Sequence, residues 1–384
     1  MKRKKGALWG VLTMLSLFML SGMTVFAAEE TVEYVPNMYA TFWSLIPPVV
    51  AIALALVTKE VYSSLFVGIL VGALFSTDFQ FEGTVLKIID EGFIQVLSDS
   101  ANVGILIFLV ILGTMVCMMN RAGGSAAFGK WAGKHIKTRI GAQIATIILG
   151  ILIFVDDYFN CLTVGSVMRP VTDRHQVSKA KLSYLIDSTA APVCIIAPIS
   201  SWAAAVSGFV EGEDGLAIFM QAIPYNFYAL LTIFMMFAVV LMRVDFGPMA
   251  LHEANALKGD IYTCGKRADE EEETVKPNPR GKVTDLVVPI VLLIICCITG
   301  MIYTGGFFSG TDFVTAFSQS EASLALSIGS FFAFVFTVIF YAARRVLSFR
   351  DCMDCIPEGF KAMVPAILIL TFAWTLKAMT DSLG

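Results

Sequence analysis

Long apolar runs that carry few charges constrain this chain more than any other feature. Several of them exceed about 18 residues, the length that crosses a bilayer as a helix. Backbone groups left unpaired in hydrocarbon are costly, so such runs must be helical. The sequence therefore predicts an all-α, polytopic membrane protein surrounded by lipid. The candidate spans are 43–58, 60–76, 103–119, 140–155, 158–169, 182–210, 217–242, 285–304, 322–342 and 362–380.

Lysine and arginine are unevenly distributed among the segments that connect these spans. Four segments carry at least four basic residues each, whereas three others carry none. The positive-inside rule places the basic segments in the cytoplasm, which predicts a multi-pass protein of the bacterial cytoplasmic membrane. The basic segments are 120–139, 169–181, 243–283 and 343–361, and the segments without Lys or Arg are 29–42, 211–216 and 305–321.

The first 28 residues have the pattern of a secretory signal. A basic stretch, Lys2–Lys5, precedes an apolar stretch, Leu8–Phe26. Small residues then stand at the −3 and −1 positions of a cleavage site after Ala27. The pattern predicts a signal peptide or an uncleaved signal anchor over residues 1–28.

Two adjacent carboxylates, Asp156 and Asp157, interrupt a long apolar stretch. Ionisable groups at membrane depth are costly and usually mark an ion or proton path. The flanking segments 120–139 and 169–181 are both basic, so the chain between them must enter the membrane and return. Both limbs are too short for a full crossing. We therefore predict a re-entrant hairpin over 140–169 with the two carboxylates at its tip; the alternative is a short external loop.

The next span, 182–210, contains two prolines and several polar residues. Pro192 and Pro198 each remove a backbone donor and disturb the preceding turn. Breaks of this kind expose half-helix ends and carbonyls that coordinate ions in transporters. The span is therefore predicted to be a broken helix; an ordinary proline-kinked span is the alternative. The polar residues beside the prolines are Asp187, Ser188, Thr189, Ser200 and Ser201.

Short motifs recur in the two halves of the chain in opposite predicted orientation. Glu91-Gly92-Phe93 and Glu358-Gly359-Phe360 each precede a span, and a proline motif opens each half. This pattern predicts an inverted-topology repeat. No second hairpin and broken helix follow, so the second repeat is expected to be incomplete through C-terminal truncation. The predicted organisation is a first repeat over 40–243, a cytoplasmic linker over 244–284 and a partial second repeat over 285–384.

The block Phe154–Trp202 resembles the NhaC-type Na⁺/H⁺ antiporter family. The similar residues are Phe154–Asn160, Met168–Asp173, Asp187–Pro192 and Ile196–Trp202, together with Trp43–Pro48 near the start. The resemblance implies a secondary antiporter of the inner membrane with a scaffold domain and a transport domain. Na⁺ and H⁺ would be its cargo, and no cofactor or enzymatic step is implied. Family members extend further, through a second motif rich in Gly, Thr, Ser and Trp.

The residue chemistry agrees with ion exchange. Na⁺ is a hard cation that prefers oxygen ligands, and a partly desolvated carboxylate can hold either a proton or Na⁺. We expect Na⁺ and H⁺ to bind at Asp156, Asp157 and Asp187. The expected neutral ligands are Asn160, Thr163, Ser188 and Thr189, with the broken-helix residues Pro192, Pro198, Ser200 and Ser201 supplying carbonyls and hydroxyls.

Two other functions are compatible with the same carboxylates. Coupled exchange of organic acids or amino acids would need a fixed cation, for which Arg169 is nearest. An intramembrane aspartyl protease would need Asp157 and Asp187 to meet, although the usual sequence contexts of such proteases are missing. A nucleic-acid partner is not indicated, and a homodimer stays open. The cysteines predict no disulfide, and the spacing Cys352-x-x-Cys355 is interpreted as inert.

Overall fold

The computed structural model describes residues 35–154, 157–197, 200, 202–203, 215–263 and 278–384. This part of the chain is helical and contains no strand. The predicted signal segment 1–28 lies outside the described residues, as do Asp156, Pro198 and Ser201. The described α-helices of six or more residues are α1 Ile46–Thr58, α2 Val61–Ser76, α3 Phe81–Lys87, α4 Ser100–Arg121, α5 Gly124–His135, α6 Arg139–Leu152, α7 Asp157–Arg174, α8 Lys179–Cys194, α9 Gly215–Ala222, α10 Phe227–Met242, α11 Pro248–Leu257, α12 Thr284–Thr304, α13 Phe313–Ser318, α14 Ala322–Ala343 and α15 Phe349–Asp381. A π-helix, Ile88–Ile94, follows α3.

Four of the described helices, α4, α12, α14 and α15, are long and apolar enough to cross a membrane. The 22 residues of α4 extend about 33 Å, which matches the hydrocarbon thickness of a bilayer. The segment predicted as one span over 217–242 is two helices that meet at an angle of 51°. Pro224 and Asn226 lie at this bend, where a proline removes a backbone donor. These helices agree with a membrane protein.

Glycines bring the long helices into close contact. Helices α4 and α15 cross where a Cβ on Gly113 would lie 2.5 Å from the Gly359 carbonyl oxygen. Helices α12 and α14 meet where a Cβ on Gly329 would lie 2.6 Å from the Cα of Cys297. Small residues allow backbones to approach in this way, and they are the usual contact positions between membrane helices.

Helices from each half of the chain pack against helices from the other half. Helices α1 and α2 form a hairpin, and α2 packs against α15; helices α12 and α14 form a second hairpin, and α14 packs against α4. Gly92 of the first Glu-Gly-Phe motif lies against Thr375 in α15, while Gly359 of the second lies against Gly113 in α4. An inverted repeat predicts this reciprocity. The repeat itself and the membrane orientation of its two halves stay predictions.

Helices α6 and α7 form a hairpin in which the start of α6 lies beside the end of α7. The imidazole Nε2 of His175, just after α7, is 3.2 Å from the Ile136 carbonyl oxygen, just before α6. Helix α11 closes this end, because Glu253 pairs with Arg139 at 2.5 Å and accepts a hydrogen bond from the Ser178 N–H at 2.8 Å. A buried carboxylate needs such partners, and Glu253 is 3% exposed. Part of the predicted linker 244–284 is thus a docked helix.

A buried ion pair anchors the start of α12. Asp285 is fully buried and lies 2.7 Å from the guanidinium of Arg344, which follows α14. The hydroxyl of Tyr341 donates to the backbone carbonyl of Asp285 at 2.5 Å. These contacts fix the α12–α14 hairpin at the end where α4 and α15 also approach each other.

Candidate functional site

The tip of the α6–α7 hairpin is closed by one amide side chain. Asn160 donates through Nδ2 to the carbonyl oxygens of Gly150, at 2.6 Å, and Ile153, at 2.8 Å. Carbonyls at the end of a helix have no partner within that helix, so the amide satisfies two of those left by α6. These two bonds also fix the orientation of the amide, and its oxygen must point away from the carbonyls.

Two oxygens on α7 are buried and have no hydrogen-bond partner among the described residues. They are Oδ1 of Asn160 and Oγ1 of Thr163, and both residues are 0% exposed. Residues three apart share a face of a helix, so the two oxygens lie on the same side of α7. A buried polar atom without a partner costs about 1–3 kcal/mol, and native proteins rarely keep one without a reason. The pair is therefore a candidate site for a bound ion or water.

Asp157 stands at the first turn of α7, beside these oxygens in sequence. The side chain of Trp202 and the backbone N–H of Tyr158 interact with its carboxylate. The positive end of the helix dipole favours a negative charge at this position. The bond to Trp202 connects the hairpin tip with the segment that follows α8.

Helix α8 is interrupted after Cys194, and helical backbone resumes at Trp202–Ala203. Pro192 is buried inside α8, so the helix ends after this proline and not at it. Ser200 donates to the Cys194 carbonyl at 2.7 Å and accepts from the Ala203 N–H at 3.0 Å. Its hydroxyl thus closes the interruption by capping both helix ends. This capping is a structural role for a residue predicted as part of the ion site.

Helix α8 contacts the hairpin at Gly150. A Cβ on Gly150 would overlap the Thr189 hydroxyl and would lie 2.7 Å from the Thr189 Cβ, so only glycine fits here. Thr189 is buried and donates to the Leu185 carbonyl at 2.8 Å, and Ser188 beside it is also buried. Three helices therefore meet at Gly150, which brings Asn160 and Thr189 to opposite sides of one residue.

Asp187 lies on a different face of α8. Its side chain is exposed, as are those of Ser183 and Ala191 one turn away on either side, whereas Ser188 and Thr189 face the interior. The structure therefore does not bring Asp187 to the buried oxygens. Arg169, the cation that organic-acid exchange would need, lies further along α7, with its guanidinium 3.2 Å from the Tyr262 hydroxyl.

Of the predicted ligands, Asp157, Asn160 and Thr163 all lie on α7, and Thr189 of α8 packs against Gly150 of α6. All of them offer oxygen, the ligand type of hard cations such as Na⁺. Two contacts were missed from the sequence, the Trp202 bond and the Gly150 packing position. A glycine inside an apolar run can indicate a close helix contact, and Gly150 fits this pattern. Several other glycines of the sequence fit it equally well, so the pattern does not single out Gly150.

Residues 204–384 match the sequence model of the Na⁺/H⁺ antiporter family. The chain is also 33% identical over 361 residues to a protein of Haemophilus influenzae described as "Uncharacterized protein". This alignment covers 90% of the present chain and 68% of the relative. No solved structure matches. The family match begins after the Phe154–Trp202 block and therefore does not depend on it. The family match covers a little under half of the chain, and the description of the relative names no family, so these matches support a Na⁺/H⁺ antiporter family through residues 204–384.

Proposed function

We propose that this protein is an antiporter of the NhaC type that exchanges Na⁺ for H⁺ across the bacterial cytoplasmic membrane, with the α6–α7 hairpin tip as its ion site. The observation that carries the proposal is the pair of buried oxygens without partners, Asn160 Oδ1 and Thr163 Oγ1, on the helix that Asp157 begins.

The chemistry of the site suits Na⁺. Neutral amide and hydroxyl oxygens replace water around the ion, and a carboxylate supplies the compensating charge. Helix α7 directs its positive end toward Asp157, while the carbonyl end of α6 is held close by Asn160. Helix ends of both signs therefore meet at the tip, as they do at interrupted helices in transporters.

Competition between the two ions would couple their movement. Desolvation favours the protonated carboxylate, and Na⁺ with its oxygen ligands favours the ionised one, so the site holds one ion at a time. We assign the carrier role to Asp157 together with its neighbour Asp156. Asp187, on the exposed face of α8, is assigned to the path by which ions reach the tip. Alternating access of the site then gives exchange.

The proposal is tested by two matched threonine variants. Thr163 and Thr172 both lie on α7 and are both 0% exposed, but the Thr172 hydroxyl donates to the Met168 carbonyl at 3.0 Å. In Na⁺-free detergent solution, Thr163→Val should leave thermal stability unchanged or raise it, because it removes an unsatisfied hydroxyl. Thr172→Val should lower stability by about 0.5–1.5 kcal/mol, because it breaks a satisfied bond.

In Na⁺-free solution Thr163→Val is expected to be the more stable of the two variants. Addition of Na⁺ should make Thr172→Val the more stable one. A ligand at 100 times its dissociation constant stabilises the folded state by about 2.7 kcal/mol. Wild type and Thr172→Val should therefore show a Na⁺-dependent rise in melting temperature, and Thr163→Val should show a much smaller one. Equal Na⁺ responses in the two variants would remove Thr163 from the site.

Exchange itself is measured as Na⁺-driven proton movement in everted vesicles. Asp157→Asn should abolish it at normal expression, because the variant cannot alternate between a proton and Na⁺. Asp187→Asn should slow exchange, whereas Ser183→Ala, one turn away on the same exposed face, should be silent. Near-normal exchange by Asp157→Asn would refute the assigned site.

A further inference from the structure

The close crossing of α4 and α15 sets the register of the two helices. They run antiparallel, so a step of four residues forward on α4 matches a step of four back on α15. From the Gly113–Gly359 contact, the next turn pairs Cys117 with Cys355. One turn further, the Arg121 guanidinium donates to the backbone carbonyl of Asp351 at 3.1 Å.

Two thiols and a carboxylate meet at this level. Cys117 Sγ is 3.0 Å from Oε2 of Glu358, and the two sulfurs and the carboxylate oxygen all lie within 4.8 Å of one another. Cys355 is buried, Cys117 is partly buried and Glu358 is exposed. Arg121 binds the other carboxylate oxygen, Oε1, at 2.8 Å, which leaves Oε2 directed toward the sulfurs.

We propose that Cys117, Cys355 and Glu358 form a binding site for a thiophilic divalent metal ion of the Zn²⁺ class. Tetrahedral coordination with Zn–S bonds of about 2.3 Å separates two thiolate sulfurs by about 3.8 Å, which falls within the observed spacing. Water completes the fourth position on the exposed side of Glu358. Arg121 balances the excess negative charge of two thiolates and a carboxylate around one dication.

Binding is a proton exchange and needs no redox partner. Each thiol loses its proton as its sulfur bonds to the metal, so about two protons leave for each ion bound. The ion enters from the side of Glu358, whose side chain is 45% exposed. The bound ion would clamp α4 to α15, two helices distant in sequence. The site is separate from the hairpin tip and does not depend on Na⁺ exchange.

The ligand set differs from the one that the spacing Cys352-x-x-Cys355 suggests. Cys352 and Cys355 are buried in the same apolar cluster, against which Cys117 packs. The three ligand atoms that lie within 4.8 Å of one another nevertheless belong to Cys117, Cys355 and Glu358, and Cys352 is not among them. A site built on the motif would use Cys352 with Cys355. The site built by the helix crossing uses Cys117, a residue of another helix, in its place.

The experiment titrates the full chain, purified in detergent, with Cd²⁺ or Co²⁺ and follows thiolate-to-metal charge-transfer absorption and proton release. Wild type should bind one ion and release about two protons. Cys117→Ala and Cys355→Ala should each weaken binding by more than the 10–100-fold typical of outer-shell changes. Glu358→Gln should weaken binding but keep the thiolate absorption.

Cys352→Ala and Cys296→Ala are the matched controls and should bind as wild type does. Thermal unfolding in metal-free buffer verifies that each variant is folded. Loss of binding in Cys352→Ala with retention in Cys117→Ala would overturn the proposal in favour of the sequence motif. Absence of thiolate absorption in the wild type at saturating Cd²⁺ would overturn it altogether.

Discussion

Replacement of Gly150 by alanine tests the contact between the hairpin and the interrupted helix. The added methyl would lie 2.7 Å from the Thr189 Cβ, about 1 Å inside the usual contact distance between carbons. Rotation of the Thr189 side chain does not move its Cβ, so the backbones of α6 and α8 must separate. Overpacking of this kind costs about 1–3 kcal/mol, and the higher helix propensity of alanine offsets up to about 1 kcal/mol. We expect a net loss of about 1–2 kcal/mol.

Gly165→Ala is the matched control, because its Cβ would meet only the Ile186 Cδ1, at an ordinary 3.6 Å. It should be neutral or slightly stabilising. Thermal unfolding in detergent and Na⁺-driven proton movement in vesicles are the assays. Gly150→Ala should reduce both stability and exchange, and Thr189→Gly in the same chain should restore part of the loss. If Gly150→Ala and Gly165→Ala behave alike in both assays, the described contact is wrong.

Three further predictions concern other parts of the fold. Asn160→Ala should destabilise the protein by about 1–3 kcal/mol, since two hydrogen bonds to α6 carbonyls are lost; an unchanged melting temperature would contradict this. Arg344→Ala should cost about 3–5 kcal/mol in thermal unfolding, because it leaves the Asp285 carboxylate buried without its cation; a loss below 1 kcal/mol would show that the pair is not needed. The Ser63 N–H and hydroxyl lower the pKa of Glu60, so this cap stabilises α2 above the unfolded pKa and is lost as the pH falls through the folded one. Amide exchange of Ser63, corrected for intrinsic rates, should therefore accelerate in acid, and Glu60→Ala should abolish that dependence.

Helix content was predictable, because the length needed to cross a bilayer and the cost of unpaired backbone groups leave few alternatives. The spacing of Asn160 and Thr163 predicted that they share a face of one helix, and both are buried on α7; their role as ion ligands stays a prediction. The sequence did not show that Asp187 lies on an exposed face of α8. Nearly all positions in this span are either apolar or candidates for function, so its hydrophobic pattern does not distinguish the exposed face from the buried one. The meeting of Cys117 with Cys355 was also missed, since it depends on a tertiary register between helices far apart in sequence.

The α4–α15 crossing also determines when the protein can complete its structure during synthesis. Arg121 and Glu358, which pair across it, are 237 residues apart. Protein synthesis adds roughly 5–20 residues per second, so roughly 12–47 s pass between the synthesis of α4 and the synthesis of its partner α15. During that interval its glycine face is free to bind another helix of the cell, so the growing chain needs either rapid synthesis or a temporary partner.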